Sequence, residues 1–283
     1  MSDSSLQCSV IIVANNSQLF LEKALQSLQE QTIKPHEVII VDSGSEKKSY
    51  LYKLKFDLKI KVVIGAKGIG FCKANNIGMD HLDPESRYVF FLNPDAFPFE
   101  DFIETALEYM EDSKNHKCGA ITGKTYGYDI NKGLPTERYD TTGIFQSWYG
   151  KWFDRAQGET TNPDLYNDIE EVPAICGAVF FCRRSAIEEI LINGREVFKE
   201  SLYMYKDDID LSLRLKKQNW RLMYHPALQA YHCRGWSSDR KKISRLFRLT
   251  SAKNEIYIHF KQRHLIGAFY SMTKYLFVKF LNV

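Results

Sequence analysis

The chain has little that could staple it, export it or anchor it across a membrane. Its six cysteines (Cys8, Cys72, Cys118, Cys176, Cys182 and Cys233) form no CxxC pair. Several lie inside apolar strand-like runs, where a thiol behaves as a small hydrophobe. That argues against a structural zinc site or a disulfide framework, and reduced, buried thiols in a cytoplasmic protein are expected. The amino terminus lacks a basic stretch followed by an apolar run and a small-residue cleavage site. Residues 1–7 read as a polar lead into a strand, so no secretory signal is expected. No apolar run is as long as the roughly 20 clean residues that a membrane span requires. Internal repeats and low-complexity tracts are also missing. What is there, 44% hydrophobic and 26% charged residues in a chain of 283, is the composition of a folded protein with room for one large domain and an appendage.

The net charge is +3, but it is unevenly spread. Residues 234–263 carry nine Lys or Arg against two acids, a local +7, so the rest of the chain is net acidic. A basic segment this concentrated calls for an anionic partner: a membrane surface, a diphosphate or a nucleic acid.

Ser9-Val10-Ile11-Ile12-Val13 is a β-branched run that ends at Ala14-Asn15-Asn16. Leu19, Leu21, Ala24, Leu25 and Leu28 then recur at helical spacing behind Ser17, a candidate cap. A second strand, Glu37-Val38-Ile39-Ile40-Val41, stops at the turn chemistry of Asp42-Ser43-Gly44-Ser45. A third, over 60–64, leads into a glycine-bearing loop and a helix over 71–81. The fourth, Tyr88-Val89-Phe90-Phe91-Leu92, ends at Asn93-Pro94-Asp95. This alternation predicts an α/β fold with a parallel sheet and right-handed crossovers. The second half is less regular. Residues 127–167 are expected to form long loops around an acceptor. A strand is expected over 172–181, a helix over 207–218, and two short strands, 221–224 and 228–232, separated by Pro226.

Two acidic stretches carry the chemistry. Asp95 follows a buried parallel strand, at the end where open α/β sheets bind ligands. Asp207-Asp208-Ile209-Asp210 opens a helix with three carboxylates in four residues. Carboxylates ligate hard divalent cations and serve as general bases, so a metal cluster and a base together suit a transferase. Structural accounts compete with each assignment: Asp95 and Asp42 have ordinary turn chemistry, and acids at a helix start are favoured by its dipole.

Taken in order, these segments resemble family 2 glycosyltransferases with the GT-A fold, above all the bacterial branch that includes rhamnosyltransferases. The resemblance runs over about residues 8–260. It is carried by Val10-Ile11-Ile12-Val13-Ala14-Asn15-Asn16, Val41-Asp42-Ser43-Gly44-Ser45, the segment 68–78, Leu92-Asn93-Pro94-Asp95, Cys176-Gly177-Ala178, Asp207-Asp208-Ile209-Asp210-Leu211 and His232-Cys233-Arg234-Gly235-Trp236-Ser237. It implies a catalytic domain over 1–238, with a nucleotide-sugar half to about 125 and an acceptor half beyond it, followed by a helical segment over 239–283.

The resemblance also implies roles. Asn93-Pro94-Asp95 stands in for the family's Asp-x-Asp motif, so Asp95 would hold Mg²⁺ or Mn²⁺ against the donor diphosphate and Asn93 would touch the ribose or sugar. His232 would be an additional metal ligand. Asp42 would meet the nucleobase, beside a wall made by Ala14 and Asn15. Gly70, Asn75 and Asn76 would lie near the donor sugar and diphosphate. Asp208 would be the general base, and Asp207, where the family has Glu, would orient the acceptor. Gly177 and Trp236 fall on the acceptor side. The implied activity is inverting transfer of a sugar, with rhamnose favoured, from a dTDP- or UDP-linked donor to a polysaccharide or polyprenyl-diphosphate-linked glycan.

Leu265, Phe269, Met272, Leu276 and Phe280 share one helical face, widened by Phe277, Val278 and Leu281 and interrupted by Lys274 and Lys279. Behind the +7 segment this reads as an interfacial helix on anionic lipid, at the cytoplasmic face of the inner membrane. Packing on the catalytic domain, or on a second copy in a homodimer, is the other account of that face. A nucleotidyltransferase would carry a glycine-rich basic loop after the first strand, where this chain has Ala14-Asn15-Asn16-Ser17. A nucleic-acid binder could stack bases on Trp236, Phe247 and Tyr257, but the excess charge adjoins an apolar tail, and no nucleic-acid partner is expected. A scaffold with a decayed site is disfavoured by the joint presence of Asp95, Asp208 and His232.

Overall fold

Three buried runs and a partly exposed edge strand set the centre of the molecule. In the computed structural model, which describes residues 7–234 and 244–281, the first of them is β1 (Cys8–Ala14). Helix α1 (Gln18–Gln29), β2 (Glu37–Asp42), β3 (Ile60–Ile64), α2 (Gly70–Asp80) and β4 (Tyr88–Leu92) follow. The strands pair in parallel in the order β3-β2-β1-β4. Side chains alternate across β1: Val10 and Ile12 join a core on the α1 side, whereas Ile11 and Val13 join one containing Cys72 and Ala74 of α2. A strand covered on both faces reads as an unbroken apolar run, which is why these strands stand out in the sequence. Helix α2 lies close on the sheet because Gly78 has no side chain. A Cβ there would come within 2.6 Å of Ile11 Cγ2.

After β4 come β5 (Ala96–Pro98), α3 (Phe102–Glu111), β6 (Cys118–Asp129), β7 (Leu134–Thr141), β8 (Ile144–Gln146), β9 (Trp152–Asp154), β10 (Glu170–Glu171), β11 (Val179–Arg183) and α4 (Arg184–Glu188). Helix α5 (Asp207–Lys217), β12 (Arg221–His232), α6 (Arg245–Gln262) and α7 (Leu265–Leu281) complete the described chain. The main sheet runs β10-β12-β6-β11-β4-β1-β2-β3, with β5 on β12 and β7 on β6. Strand β11 is antiparallel to both β4 and β6 and joins the parallel half to the rest.

The structure departs from the sequence reading in the second half. Residues 127–167, where loops were expected, include the β6–β7 hairpin and the β8–β9 pair, and the rest is irregular. Register shifts in β6–β7 and buried polar residues Asp140, Thr141 and Thr142 erase the period-2 signature. The expected strand over 172–181 is regular only from Val179. Strand β12 passes straight through Pro226, because the register against β6 shifts between His225 and Gln229 and needs no donor from the proline. Ser17 precedes α1, but its hydroxyl makes no capping hydrogen bond. It accepts from the Asn15 amide at 3.0 Å instead. All six cysteines are free and buried.

The carboxyl-terminal segment folds back as two helices. Arg263, in the left-handed conformation, ends α6. Helix α7 then packs along α6, where Lys274 reaches the buried Glu255. Among the described residues no helix is long and apolar enough to cross a membrane.

Candidate active site

Parallel strands leave their carboxyl ends on one edge of the sheet, and a cleft of about 420 Å³ opens there. Val13, Asn15, Ser43 and Pro94 come from the ends of β1, β2 and β4, and Gly70 from the start of α2. Tyr203, Met204 and Phe247 close the other side. Gly70 has φ +79°, and a Cβ on it would lie 2.4 Å from the Tyr203 ring, so glycine is what lets the aromatic wall approach.

Asp42 sits at the end of β2, fully buried. One carboxylate oxygen accepts from the Ser45 amide at 3.0 Å. The other is buried with no hydrogen bond among the described residues, and Lys48 Nζ stands 3.6 Å away. A buried acceptor left without a donor is costly, and a ligand N–H would satisfy it. Ala14 lies beside Asp42 in register and its carbonyl accepts from the Ser43 amide at 2.8 Å. Asn15 donates to the Ser43 carbonyl at 3.3 Å, bracing the same wall.

The two asparagines of α2 differ from expectation. Asn75 donates to the Phe71 carbonyl within its own helix at 3.0 Å. Asn76 is buried, accepts from the Val197 and Phe198 amides at 3.1 and 2.9 Å, and donates to the Phe198 carbonyl at 2.8 Å. Its amide is spent on holding residues 197–198, which corrects its assignment as a donor contact.

Asn93 and Asp95 lie in the turn between β4 and β5, where the Asn93 amide donates to the Ala178 carbonyl at 2.9 Å. Asp95 Oδ1 faces His232 Nε2 at 3.3 Å, and His232 Nδ1 faces Asp140 Oδ2 at 2.9 Å. Arg234 continues the line: its Nε is 3.2 Å from Asp140 Oδ1 and a terminal nitrogen 2.8 Å from Asp154 Oδ2. Burial alone would raise both Asp95 and Asp140, but the imidazole between them brings each below the ordinary carboxylate range. Burial opposes charge on His232 as well, and the two flanking carboxylates outweigh it, raising the ring to about 9.

No group of three or more metal-ligating side chains occurs among the described residues. Asp95 and His232 nonetheless fit a divalent cation, because such sites often use one or two protein groups and take their remaining ligands from water and substrate phosphate. The backing of His232 by Asp140 is the arrangement that orients metal-binding imidazoles.

The second acidic station starts α5. Asp208 Oδ2 accepts from the Gly177 amide at 3.1 Å, so Gly177 is placed as a backbone donor to this carboxylate. A Cβ on Gly177 would lie 3.3 Å from Asp208 Cβ. Asp207 is buried behind it, and burial followed by repulsion from Asp208 pushes its pKa up. Asp208 is raised too, first by burial, with Asp154 adding to the effect. Asp210 belongs to the framework, held by Arg214 at 2.8 Å and by Lys261 of α6 at 2.7 Å. The buried thiol of Cys176 feels Arg234, Asp154, Asp208 and Asp140 together, so the two stations share one neighbourhood. Trp236 lies outside the described residues. The sequence reading missed Asp140 and Asp154; alternation along β7 would flag Asp140 only once that segment is known to be a strand.

A Rossmann-like sheet with a nucleotide-sized cleft at its strand ends, a carboxylate–imidazole pair beside it and a second acidic station at a helix start defines the GT-A glycosyltransferases as a class. The sequence model described as "Glycosyl transferase family 2" matches residues 9–191, and the chain belongs to that family. Among curated relatives, rhamnosyltransferase WbbL of Escherichia coli K12 is 27% identical over 253 residues, covering 84% of this chain and 88% of that protein. N-acetylglucosaminyl-diphospho-decaprenol L-rhamnosyltransferase of Mycobacterium tuberculosis H37Rv is 23% identical, covering 90% of this chain and 84% of that protein. Among solved structures, GalNAc-T7 with UDP, GalNAc and Mn²⁺ superposes with a TM-score of 0.64 at 16% identity over 88% of this chain. The chain spans about half of GalNAc-T7, 48% of its length. S. aureus TarS 1–349 in complex with UDP gives a TM-score of 0.53 at 16% identity over 89% of this chain and 66% of that chain. These structural likenesses speak for the fold.

The raised acids of α5 have a consequence for stability. A carboxyl whose folded-state pKa lies above its unfolded value contributes stability below the unfolded pKa that is lost as pH rises through the folded one. Asp207→Asn removes that titration. Its melting temperature relative to the unaltered protein should therefore climb as pH rises above the ordinary carboxylate range, in thermal melts with chelator from pH 5 upward. A pH-independent difference would contradict the raised pKa.

Proposed function

We propose that the protein is an inverting, divalent-metal-dependent glycosyltransferase that moves a sugar, with rhamnose favoured, from a dTDP- or UDP-linked donor to a hydroxyl of a polysaccharide or polyprenyl-diphosphate-linked glycan. The observation that carries this reading is that the Asp95–His232 station, next in sequence to Pro94 of the cleft wall, shares one neighbourhood with Asp208, whose carboxylate accepts from the Gly177 amide. The nucleobase would offer its N–H to the unpaired oxygen of Asp42. Asn15 and Gly70 would border the ribose and diphosphate, with Asn93 nearby.

Asp208 acts as general base. It takes the proton of the acceptor hydroxyl as that oxygen bonds to the anomeric carbon, while the bond from that carbon to the diphosphate breaks on the opposite face and its electron pair leaves with phosphate. The carbon is inverted, and the proton ends on Asp208. A base with a raised pKa works closer to neutral pH, and the Gly177 amide fixes its direction. A cation bound by Asp95 and His232 would supply positive charge against the departing diphosphate.

The exposed face of α7 supports a peripheral contact with anionic membrane at the cytoplasmic face of a bilayer. Leu265, Phe269 and Phe280 are 79%, 75% and 72% exposed, on the helix that follows the +7 segment. An apolar face beside basic residues suits a lipid interface, and such a location would meet a lipid-linked acceptor.

Three measurements check these statements. A nucleoside diphosphate or nucleotide sugar should raise the melting temperature only with Mn²⁺ or Mg²⁺, by about 2.7 kcal/mol of stability at one hundred times Kd. Absence of any shift with the protein folded would remove the donor site. Asp208→Asn should cut turnover by about 10²–10⁴-fold, the range of general-base contributions, and keep the nucleotide-induced shift; normal turnover would take Asp208 out of the base role. Vesicles rich in phosphatidylglycerol should co-sediment the protein, and Phe269→Glu with Phe280→Glu should abolish this. Loss of a dimer in those variants, with no vesicle binding by the unaltered chain, would assign the face to a second copy.

A further inference from the structure

The segment 202–206, which leads into the acids of α5, has an improbable backbone. Tyr203, Tyr205 and Lys206 have φ of +64°, +68° and +64°, although none is glycine. At Tyr203, with ψ −59°, the Met204 amide donates to the Leu202 carbonyl at 2.7 Å, closing a γ-turn of the rarer, strained kind. Conformations like these persist only where surrounding structure imposes them.

The imposing group comes from the far end of the chain. Asn254 of α6 is buried, and its side-chain amide donates to the carbonyls of Leu202, Met204 and Tyr205 at 2.9, 3.0 and 2.9 Å. Two amide hydrogens thus serve three acceptors on one strained turn. Seven residues further along α6, Lys261 grips Asp210 at 2.7 Å, so two points on one face of the helix hold the turn and the start of α5. The turn has contacts on the donor side as well. The Tyr203 carbonyl accepts from the Cys72 amide of α2 at 3.1 Å, and Tyr203 and Met204 wall the cleft.

We propose that Asn254 is a positioning residue for the transfer reaction: by clamping the strained turn 202–206 it sets the placement of Asp208 and of the Tyr203–Met204 wall. The inference rests on Asp208 being the base. Helix α6 is thereby a working part of the site, although it lies outside the strand-end cleft's own sheet. A displaced base is a poor base, since an error of about 1 Å in placement can cost on the order of 10²-fold in rate.

Asn254→Leu keeps the size of the side chain and removes its donors, Asn254→Gln keeps a donating amide, and Ile258→Val, a buried position one turn on, perturbs α6 without touching the turn. Assayed well below their melting temperatures, Asn254→Leu is expected to lose turnover by about 10²-fold, Asn254→Gln to recover part of it, and Ile258→Val to retain it. Adding Asn254→Leu to Asp208→Asn should cost almost nothing further, because groups acting through one another are non-additive. Full additivity, or equal losses in Asn254→Leu and Ile258→Val, would overturn the positioning role while leaving the transferase reading intact. If the unaltered protein transfers no sugar, the reading of Asp208 fails and the positioning role falls with it. Hydrogen exchange then still tests the clamp: the Cys72 and Met204 amides should exchange faster in Asn254→Leu and not in Ile258→Val. Unchanged exchange at both amides would show that Asn254 does not hold the turn, and would overturn the inference whatever the rates.

Discussion

A row of charges of alternating sign, held where water is scarce, ties the end of β4 to the strands of the second half. Asp95, His232, Asp140, Arg234 and Asp154 alternate in sign, each within 3.3 Å of the next. An isolated buried carboxylate would take up a proton to escape its desolvation cost, and an isolated imidazole would give one up. Alternation removes that escape for the inner members, because neutralising any one of them strands its neighbours. Asp95 is the end of the row and the most exposed carboxylate in contact with His232, with 24% of its side chain open to solvent. A cation that took both Asp95 and His232 Nε2 would displace the ring's proton and replace its positive charge in the row.

Strand β12 makes this geometry possible. Its bulge lets the chain continue past Pro226, so that β5 pairs with its last residues and sets His232 opposite Ala96. The Cys233 amide then donates to the Asp95 carbonyl at 2.9 Å, fastening the strand end to the turn that carries Asp95. The acids of α5 obey the opposite logic. There, burial comes first, with neighbouring carboxylates adding to it, and the pKa values rise. Alternating signs hold a carboxylate ionised, whereas burial among other acids raises proton affinity, and the fold keeps both near the buried Cys176.

The parallel half was legible because β1, β2 and β4 are covered on two faces and their apolar runs end at the cleft. Asp42 and Asp95 could be read as strand-end residues from local sequence alone, and Asp208 as a helix-start residue. What could not be read has partners far away in the chain. Asp140 meets a histidine 92 positions later, and Asn76 meets backbone 121 and 122 positions later. Both are polar residues inside polar-looking segments, where burial leaves no periodic trace. The strands of residues 127–167 were hidden for the same reason: the buried residues at the end of β7 and just after it are Asp140, Thr141 and Thr142, not aliphatic side chains. Gly177 was placed on the acceptor side by resemblance, but its partner, the Asp208 carboxylate, was not legible.

The family match ends at residue 191, while the proposed base, His232 and Asn254 all lie beyond it. This boundary has a physical meaning. The parallel half is built by consecutive strand–helix units, whose geometry is set by short crossovers. The acid station of α5 is closed by longer returns: β12 brings His232 back to the end of β4, and α6 comes back to hold the turn before α5. Such closures need complementary partners and no fixed local motif.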